Sequence, residues 1–469
     1  MLKNDIGVIG MGVMGKNLAH NIANHGYQVS VFNRSNNSTI NTLVQNPITG
    51  LFPFFSLKEF IFSLKKPRCI LFMIKAGSPV DELILLIKPY LEHDDLIIDG
   101  GNSFFKDTIL RCKMLKKSRI LFLGAGISGG EEGALNGPAI MPGGTEEAYK
   151  RVSCIFKDIS AKYKGESCVE YIGPNGSGHY VKMVHNGIEY SDMELIAESY
   201  FLLKKLLGVN NQEMSDIFCI WNTGELSSYL IEITGHILSK KNSQGIYELD
   251  RILDEASQKG TGMWTAQSAL ELHTPLSVIT ESVFIRYLSA LRAQRFIAST
   301  VLKGPDCVLI DSNNKKEFIE DIRKALFLGK IISYAQGFNQ MKEASQKYLW
   351  NLNFSNIAKI FRAGCIIRAN FLNDIMTSFS KNNDVINLLL TPYFQDVINL
   401  YQQSLRRVII TATKNGIAVP VFSSALSYYD SYRTVNSSAN LIQAQRDYFG
   451  SHTYKRIDEK GSFHTDWIH

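Results

Sequence analysis

Four residues with chemistry to offer recur at i, i+3, i+4 and i+7 in the stretch HYVKMVHNGIEYSDMELIAES, which begins at His179. They are Lys182, His185, Asn186 and Glu189. On an α-helix those positions share one face. Met183, Val184 and Ile188 supply a separate apolar stripe, so the row carries an amine, an imidazole, an amide and a carboxyl group. Lys182 and Glu189 stand two turns apart, roughly 10 Å along the axis at ~1.5 Å per residue. Two long side chains can converge on one small ligand from that separation, one as base and one as acid. The competing reading is a solvated charged face. Gly187 within the row weighs against it. A glycine inside a helix costs about 1 kcal/mol relative to alanine, and close approach of backbone or ligand is the expected reason for one.

A second constellation lies near the N-terminus. Gly10, Met11, Gly12, Val13, Met14 and Gly15 follow the apolar run DIGVIG and lead into KNLAHNIANHG. The three glycines fit a dinucleotide fingerprint: a tight turn, backbone approach to pyrophosphate, and close helix–strand packing. The phosphates then rest on the N-terminal amides of the helix. In isolation a GxGxxG is only a tight turn; its strand–turn–helix setting favours the dinucleotide. An NAD site ends its second strand in Asp or Glu, whereas this run ends Phe32-Asn33-Arg34-Ser35. A guanidinium beside a hydroxyl and an amide suits a 2′-phosphate, so NADP is the expected cofactor, held by Asn33, Arg34 and Ser35. Ligands bind beyond the carboxyl ends of parallel strands, which places Ile74, Lys75, Ala76 and Asn102 at the nicotinamide half. Asn102 is positioned to bridge cofactor and substrate.

At 469 residues and 52.7 kDa, the chain needs two or three domains. It is 45% hydrophobic and 20% charged with a net charge of +6 and no dense basic run, so nucleic-acid binding is unsupported. Cysteines at 69, 112, 154, 168, 219, 307 and 365 are odd in number and lack any CxxC spacing. They read as reduced thiols, with no metal site. No signal peptide and no apolar run of ~18 residues is evident, so a soluble, cytoplasmic protein with no membrane partner is expected.

Strand-like runs begin at Asp5, Gln28, Arg68, Asp95, Arg119 and Cys168, with amphipathic segments between most of them. The pattern predicts an α/β Rossmann-like domain over 1–176 with a doubly wound, mostly parallel sheet. After GPNGSG, from Gly173 to Gly178, helical periodicity takes over and predicts an all-helical domain over 177–434. A weak repeat runs through it. Ile217, Trp221 and Gly224 match Ile357, Phe361 and Gly364, and the run from Ala197 aligns with that from Ala335. In the second copy Glu320 falls near the place of Lys182 and Phe327 near that of Glu189, which predicts a scaffold without the reactive face. Residues 435–469 form a tail rich in aromatics, expected to dock on the body or on another subunit.

The segment AGISGGEEGALNGPAIMPGG, from Ala125 to Gly144, is either a turn-rich loop or a place where Ser128, Gly129 and Gly130 hold a carboxylate on backbone amides. Together with GMGVMG, FNR, IDGGN, YVKMVHNGIEY, DEASQKGTGMWT, SVFIRYLSALR and QAQRDYFGSHTY, it makes the whole chain resemble the decarboxylating 6-phosphogluconate dehydrogenases. The motifs run from Gly10 to Tyr454 in that family's order. The resemblance implies that Lys182 takes the proton from the 3-hydroxyl as hydride leaves for NADP, then polarises the 3-keto group as CO2 departs. Glu189 then assists protonation at carbon 1, giving ribulose 5-phosphate, and no metal is required. It further implies that Asn102, Ser128, Gly129, Gly130, His185 and Asn186 contact the sugar acid. Tyr190, Lys259, Arg286, Arg446 and His452 hold the phosphate, the last two lent by the partner in a homodimer with exchanged tails. For base work near pH 7 the pKa of Lys182 must lie below ~10.4.

Departures from the family pattern are few: Gly12 for a common Ala, Ser191 for Gly, Met263 for Lys, and Ser451 for Ala. Met263 removes a charge near the phosphate region. Two rival readings remain, a non-decarboxylating β-hydroxyacid dehydrogenase and a non-catalytic NADP-binding sensor or scaffold. The first resembles only the first ~300 residues and lacks the duplicated helices and tail. The second leaves both Lys182 and Glu189 without a purpose.

Overall fold

The computed structural model describes residues 3–33, 38–45 and 47–468. Its main sheet comprises β1 (Ile6–Ile9), β2 (Val29–Phe32), β3 (Leu51–Phe54), β4 (Cys69–Phe72), β5 (Leu96–Asp99), β6 (Leu121–Ile127) and β7 (Ile140–Gly144). The strand order is β3-β2-β1-β4-β5-β6-β7. All pairings are parallel except β6 with β7. Every residue of β1, β2, β4 and β5 is buried, because helices cover both faces; hence their continuous apolar runs. The order reverses between β1 and β4, opening a crevice at their carboxyl ends.

Five of the six expected strands are present. The sixth, from Cys168, forms only isolated bridges, Val169 to Ile140 and Gly173 to Gly143. The position beside β6 goes instead to β7, whose sequence IMPGG has the composition of a loop. Also unforeseen is β3, LFPF. Its proline lacks an N–H and is tolerated because β3 lies at the sheet edge. A two-residue hairpin, β8 (Lys162–Tyr163) with β9 (Glu166–Ser167), completes the strands among the described residues.

The glycines of β6 and β7 let one helix lie directly on the sheet. The helix Ser177–Leu207 runs 31 residues, and its first turns press on these strands. A Cβ on Gly126 would sit 2.4 Å from Lys182 Cβ, one on Gly124 2.8 Å from His179 Nδ1, and one on Gly178 2.3 Å from the Met141 carbonyl.

A second long helix, Lys315–Tyr348, packs antiparallel against the first. Gly337 faces Val184 and Ile188, and Gly329 faces Leu195. Each long helix is followed by two short ones: Asn211–Trp221 and Tyr229–Ser239, then Phe354–Phe361 and Leu372–Lys381. The repeat seen in sequence is therefore structural. The offset that aligns Ala197 with Ala335 also aligns Asp192 with Lys330, and these two form an ion pair where the helices cross, with side chains 1% and 0% exposed. Beside it Ser191 and Ser333 share a hydroxyl hydrogen bond. In the second copy Glu320 pairs with Arg323, and Phe327 packs edge-on against Phe371.

The tail helix, Ala439–Gly450, buries only Asp447. That carboxylate accepts from the Thr453 and Thr465 amides, Trp467 Nε1 and His464 Nδ1, at 2.8–3.0 Å. The tail thus folds on itself and leaves Leu441, Ile442 and Phe449 exposed.

Replacing Lys330 alone leaves Asp192 as an uncompensated buried charge. Lys330→Met should lower the stability of the helical unit by about 3–5 kcal/mol, while Asp192→Leu with Lys330→Met should recover most of it. Urea unfolding followed by circular dichroism checks this; equal losses in the single and double variants would contradict it.

Candidate active site

The row read from the sequence lies against the sheet, not against solvent. Lys182 and His185 are buried, and the tip of Glu189 remains partly open, its side chain 22% exposed. Lys182 Nζ donates to Asn186 Oδ1 at 2.7 Å. His185 Nδ1 approaches the same oxygen at 3.1 Å, and its Nε2 lies 3.4 Å from Ser128 Oγ. An amide oxygen only accepts, so Nδ1 carries the ring proton and Nε2 receives the Ser128 hydroxyl. The other end of Asn186 donates to Thr261 Oγ1 at 3.3 Å. Gly187 does sit at a close approach, but to neighbouring helices. Its Cβ would meet Thr265 Cγ2 at 2.7 Å and Ile279 Cγ2 at 3.1 Å.

Burial sets the protonation preferences. It lowers the pKa of Lys182 from 10.5, against the opposing pull of Glu189. It raises Glu189 above 4.5, against Lys182 and Arg286. Burial, with the Lys182 charge adding to it, pushes His185 well below 6.5, so its imidazole is neutral and its 3.8 Å approach to Glu189 is no ion pair. Amine and carboxyl group are both biased toward their uncharged forms, as a base and an acid require.

A small cavity joins this face to the dinucleotide domain, lined by Asn102, Ser103, His179, Lys182, Met183, Thr261 and Trp264. Ser128 is buried beside His185. Gly129 and Gly130 adopt left-handed φ of 111° and 63°. Gly129 packs under the Gly364 carbonyl, whereas Gly130 faces open space. Beyond Glu189, Tyr190 packs its ring on Gly262 and beneath the Arg286 guanidinium, 3.7 Å from the ring centre. The Lys259 amide donates to the Tyr190 hydroxyl at 3.4 Å. Tyr190, Lys259 and Arg286 therefore form one group. Arg446 and His452 do not join it within this chain. They are exposed on the tail, where Arg446 bonds Gln443 and His452 meets the Phe449 ring edge.

The fingerprint loop has the shape a pyrophosphate needs. Gly10 has φ 101°, and a Cβ there would lie 2.4 Å from the Met73 carbonyl; one on Gly15 would lie 1.9 Å from the Gly10 carbonyl. A Cβ on Gly12 meets nothing within 4 Å, and the helix Val13–Asn24 that Gly12 caps has no side-chain cap. Its first amides are thus free to face an anion, with Val13 exposed and Met14 half-buried at the rim. Met11 is buried and offers only main chain; its amide donates to Asn33 Oδ1 at 3.3 Å. Ile74 packs under Gly10, and Lys75 is exposed, with Ala76 beside it on the facing turn. Arg34 and Ser35 lie outside the described residues. Thr261, His179 and Trp264 were not foreseen. Thr261 follows Lys259-Gly260 in a motif already singled out, and His179 opens the reactive helix, so both were within reach of the same spacing argument.

A Rossmann-type crevice facing a buried lysine–carboxyl pair on a helical domain defines a dinucleotide-dependent dehydrogenase. Residues 5–173 match the family described as the NAD binding domain of 6-phosphogluconate dehydrogenase, and residues 178–467 match its C-terminal domain. The chain is 61% identical over 469 residues to the decarboxylating 6-phosphogluconate dehydrogenase of Buchnera aphidicola subsp. Schizaphis graminum, covering 100% of this chain and 99% of that one. It is 58% identical to that of Escherichia coli K12, with 100% of both covered. The Plasmodium falciparum 6-phosphogluconate dehydrogenase, solved in apo form and with NADP+ and 6-phosphogluconate, superposes with a TM-score of 0.94 at 44% identity, covering 99% of this chain and 100% of that one. The chain belongs to the 6-phosphogluconate dehydrogenase family.

Two of the three fingerprint glycines separate cleanly. Gly15→Ala should weaken NADP binding roughly 10- to 100-fold through ~1–3 kcal/mol of overpacking. Gly12→Ala, in open space, should stay within about threefold of the parent. Calorimetric titration with NADP checks both, and a tolerated Gly15→Ala would contradict this account of the loop.

Proposed function

We propose that this protein oxidises and decarboxylates 6-phosphogluconate to ribulose 5-phosphate and CO2, with NADP as acceptor. The observation that carries the reading is one helix face on which a buried amine is pushed toward neutrality and a carboxyl group toward protonation. Full-length identity with decarboxylating relatives supports it over a non-decarboxylating β-hydroxyacid dehydrogenase or a non-catalytic sensor. The same reading divides the chain into residues 1–176 for NADP, 177–434 for substrate and dimerisation, and 435–469 as the exchanged tail.

The fingerprint loop, with Asn33, would hold NADP, which would supply the acceptor for the hydride leaving carbon 3. Neutral Lys182, its N–H held by Asn186, turns its lone pair to the 3-hydroxyl and takes that proton. As ammonium it donates to the 3-keto oxygen, so the electrons released when the carbon 1 carboxylate leaves as CO2 are accepted there as an enediol. Glu189 then delivers a proton to the former carbon 2, which becomes carbon 1 of ribulose 5-phosphate. Ser128, Gly129, Gly130, His185, Asn186 and Asn102 orient the sugar acid, and Tyr190, Lys259 and Arg286 receive the phosphate.

The phosphate group is completed by Arg446 and His452 of a second copy. Their exposure supports this, as does the apolar surface of Phe284, Leu288, Phe296, Ile297 and Val301, each at least 51% exposed. The reading is of a homodimer, with the cytoplasm as its proposed compartment. Among the described residues, no helix is long and apolar enough to cross a membrane.

Incubation with 6-phosphogluconate and NADP should release CO2 in step with NADPH absorbance. NADPH without CO2 supports the hydroxyacid rival, and silence supports the sensor. Lys182→Met should bind both ligands yet lose roughly 10²- to 10⁴-fold in rate. Because the base must be neutral, hydride transfer in the parent should rise with pH through a midpoint below 10.5. A midpoint at or above that value removes Lys182 as the base.

Tail exchange has its own test. Lys182→Met and Arg446→Ala subunits, each inactive alone, should regain about a quarter of parental activity when mixed, since random pairing yields one intact site in half the dimers. No regain would exclude exchange.

A further inference from the structure

Three buried polar residues outside the reactive row and the fingerprint, His179, Asp99 and Arg111, link the two halves of the site. His179 lies three residues before Lys182, about 4.5 Å along the helix axis. Both of its ring nitrogens reach into the dinucleotide domain. Nε2 is 3.1 Å from the Asp99 carbonyl, and Nδ1 is 2.7 Å from Thr108 Oγ1. A carbonyl only accepts, so Nε2 bears the proton and Nδ1 takes the Thr108 hydroxyl.

The side chain of Asp99 faces the other way. It accepts from the Gly101 amide at 3.1 Å and from Ser103 Oγ at 2.6 Å, fixing the turn that presents Asn102. Arg111, only 2% exposed, donates to Asp99 Oδ2 at 3.5 Å, to both oxygens of Asp81 at 2.7 and 3.0 Å, and to the Gly77 carbonyl at 3.1 Å. Gly77 closes the Ile74–Lys75–Ala76 turn. Asp99 is thereby joined to the turn after β5, to the turn after β4 through Arg111, and to the reactive helix through His179.

Apolar residues would weld these parts together at no desolvation cost, and a buried ionic cluster is weak evidence for stability. What directional bonds add is register. Hydride transfer needs reacting atoms ~3–3.5 Å apart, and a displacement of ~1 Å costs on the order of 10²-fold. We propose that Asp99, Arg111 and His179 are positioning residues that hold the nicotinamide-side turns in register with Lys182. The proposal rests on the reaction assigned above.

His179→Leu fills the space without a donor, whereas His179→Gln restores an N–H near the Nε2 position. His179→Leu should slow single-turnover hydride transfer about 10²-fold, and His179→Gln should regain at least tenfold of that. NADP and 6-phosphogluconate affinities, measured by calorimetry, should stay within about threefold in both. Fluorescence of bound NADPH should change in the leucine variant and return toward the parent in the glutamine variant. Equal behaviour of the two variants, or hydride transfer within threefold of the parent in His179→Leu, would overturn the proposal. If His179→Leu does not fold, Arg111→Lys, which keeps the charge but cannot span Gly77, Asp81 and Asp99, carries the same readouts. A parent protein inert toward 6-phosphogluconate would sink the reaction assignment instead, while the NADPH fluorescence comparison would still test the positioning.

Discussion

The burial of one amine governs this site. An ammonium held away from water carries a desolvation cost of several kcal/mol, and a lysine in such a place relieves it by giving up its proton. Lys182 reaches that position because Gly126 has no side chain: the helix sits so close to β6 that a Cβ at 126 would overlap that of Lys182. Gly124 and Gly178 serve the same approach one turn earlier. Side chains on these strands would lift the helix from the sheet, readmit water around Nζ and return the amine to its ordinary basicity. The glycine-rich strands therefore tune an acid–base group as well as packing a helix.

The duplicated helical unit shows how one scaffold divides its labour. The second long helix uses Gly329 and Gly337 to approach Leu195, Val184 and Ile188 of the first, and the buried pair of Asp192 and Lys330 marks their crossing. The first long helix lies directly on β6 and β7, and it alone has amine, imidazole and carboxyl group on the facing row. In the second copy the corresponding places hold Glu320, tied to Arg323, and Phe327, packed among aromatics. The second long helix thus backs the apolar stripe beside the reactive row, with Gly337 against Val184 and Ile188. Ser191, a departure from the family pattern, belongs to this crossing through Ser333 and does not touch the substrate face.

Periodicity made much of this legible. Buried parallel strands read as continuous apolar runs, and the reactive row stood out because spacing at three and four residues projects onto one face whatever the tertiary fold. Other features had no local signal. β7 is a strand because β6 offers it an edge, although Pro142, Gly143 and Gly144 have the composition of a loop. The run from Cys168 has the opposite history: good strand residues that make only isolated bridges along the outer edge of β7. Gly187 announced a close approach correctly but could not say to what, since a helix and a ligand leave the same vacancy in sequence. Arg446 and His452 carried meaning only through resemblance, for nothing in one chain brings them near Tyr190.

In the reaction proposed above, Asn186 would let Lys182 serve as base and then as acid without moving. Its carbonyl oxygen receives Lys182 Nζ and lies against His185 Nδ1, while its amino group is committed to Thr261. Those two outer bonds fix which end of the amide faces the lysine. A neutral amine donating to that oxygen keeps its lone pair free for a hydroxyl proton. The ammonium formed afterwards keeps the same bond and gains a donor directed at the new carbonyl. Reversing the amide would set its N–H groups against the ammonium and penalise the charged state. The Nδ1–H of His185 opposes that reversal, and burial, with Lys182, keeps the ring from adding a charge beside the amine. The imidazole need not exchange a proton to matter; its work is to keep one oxygen pointed at one nitrogen.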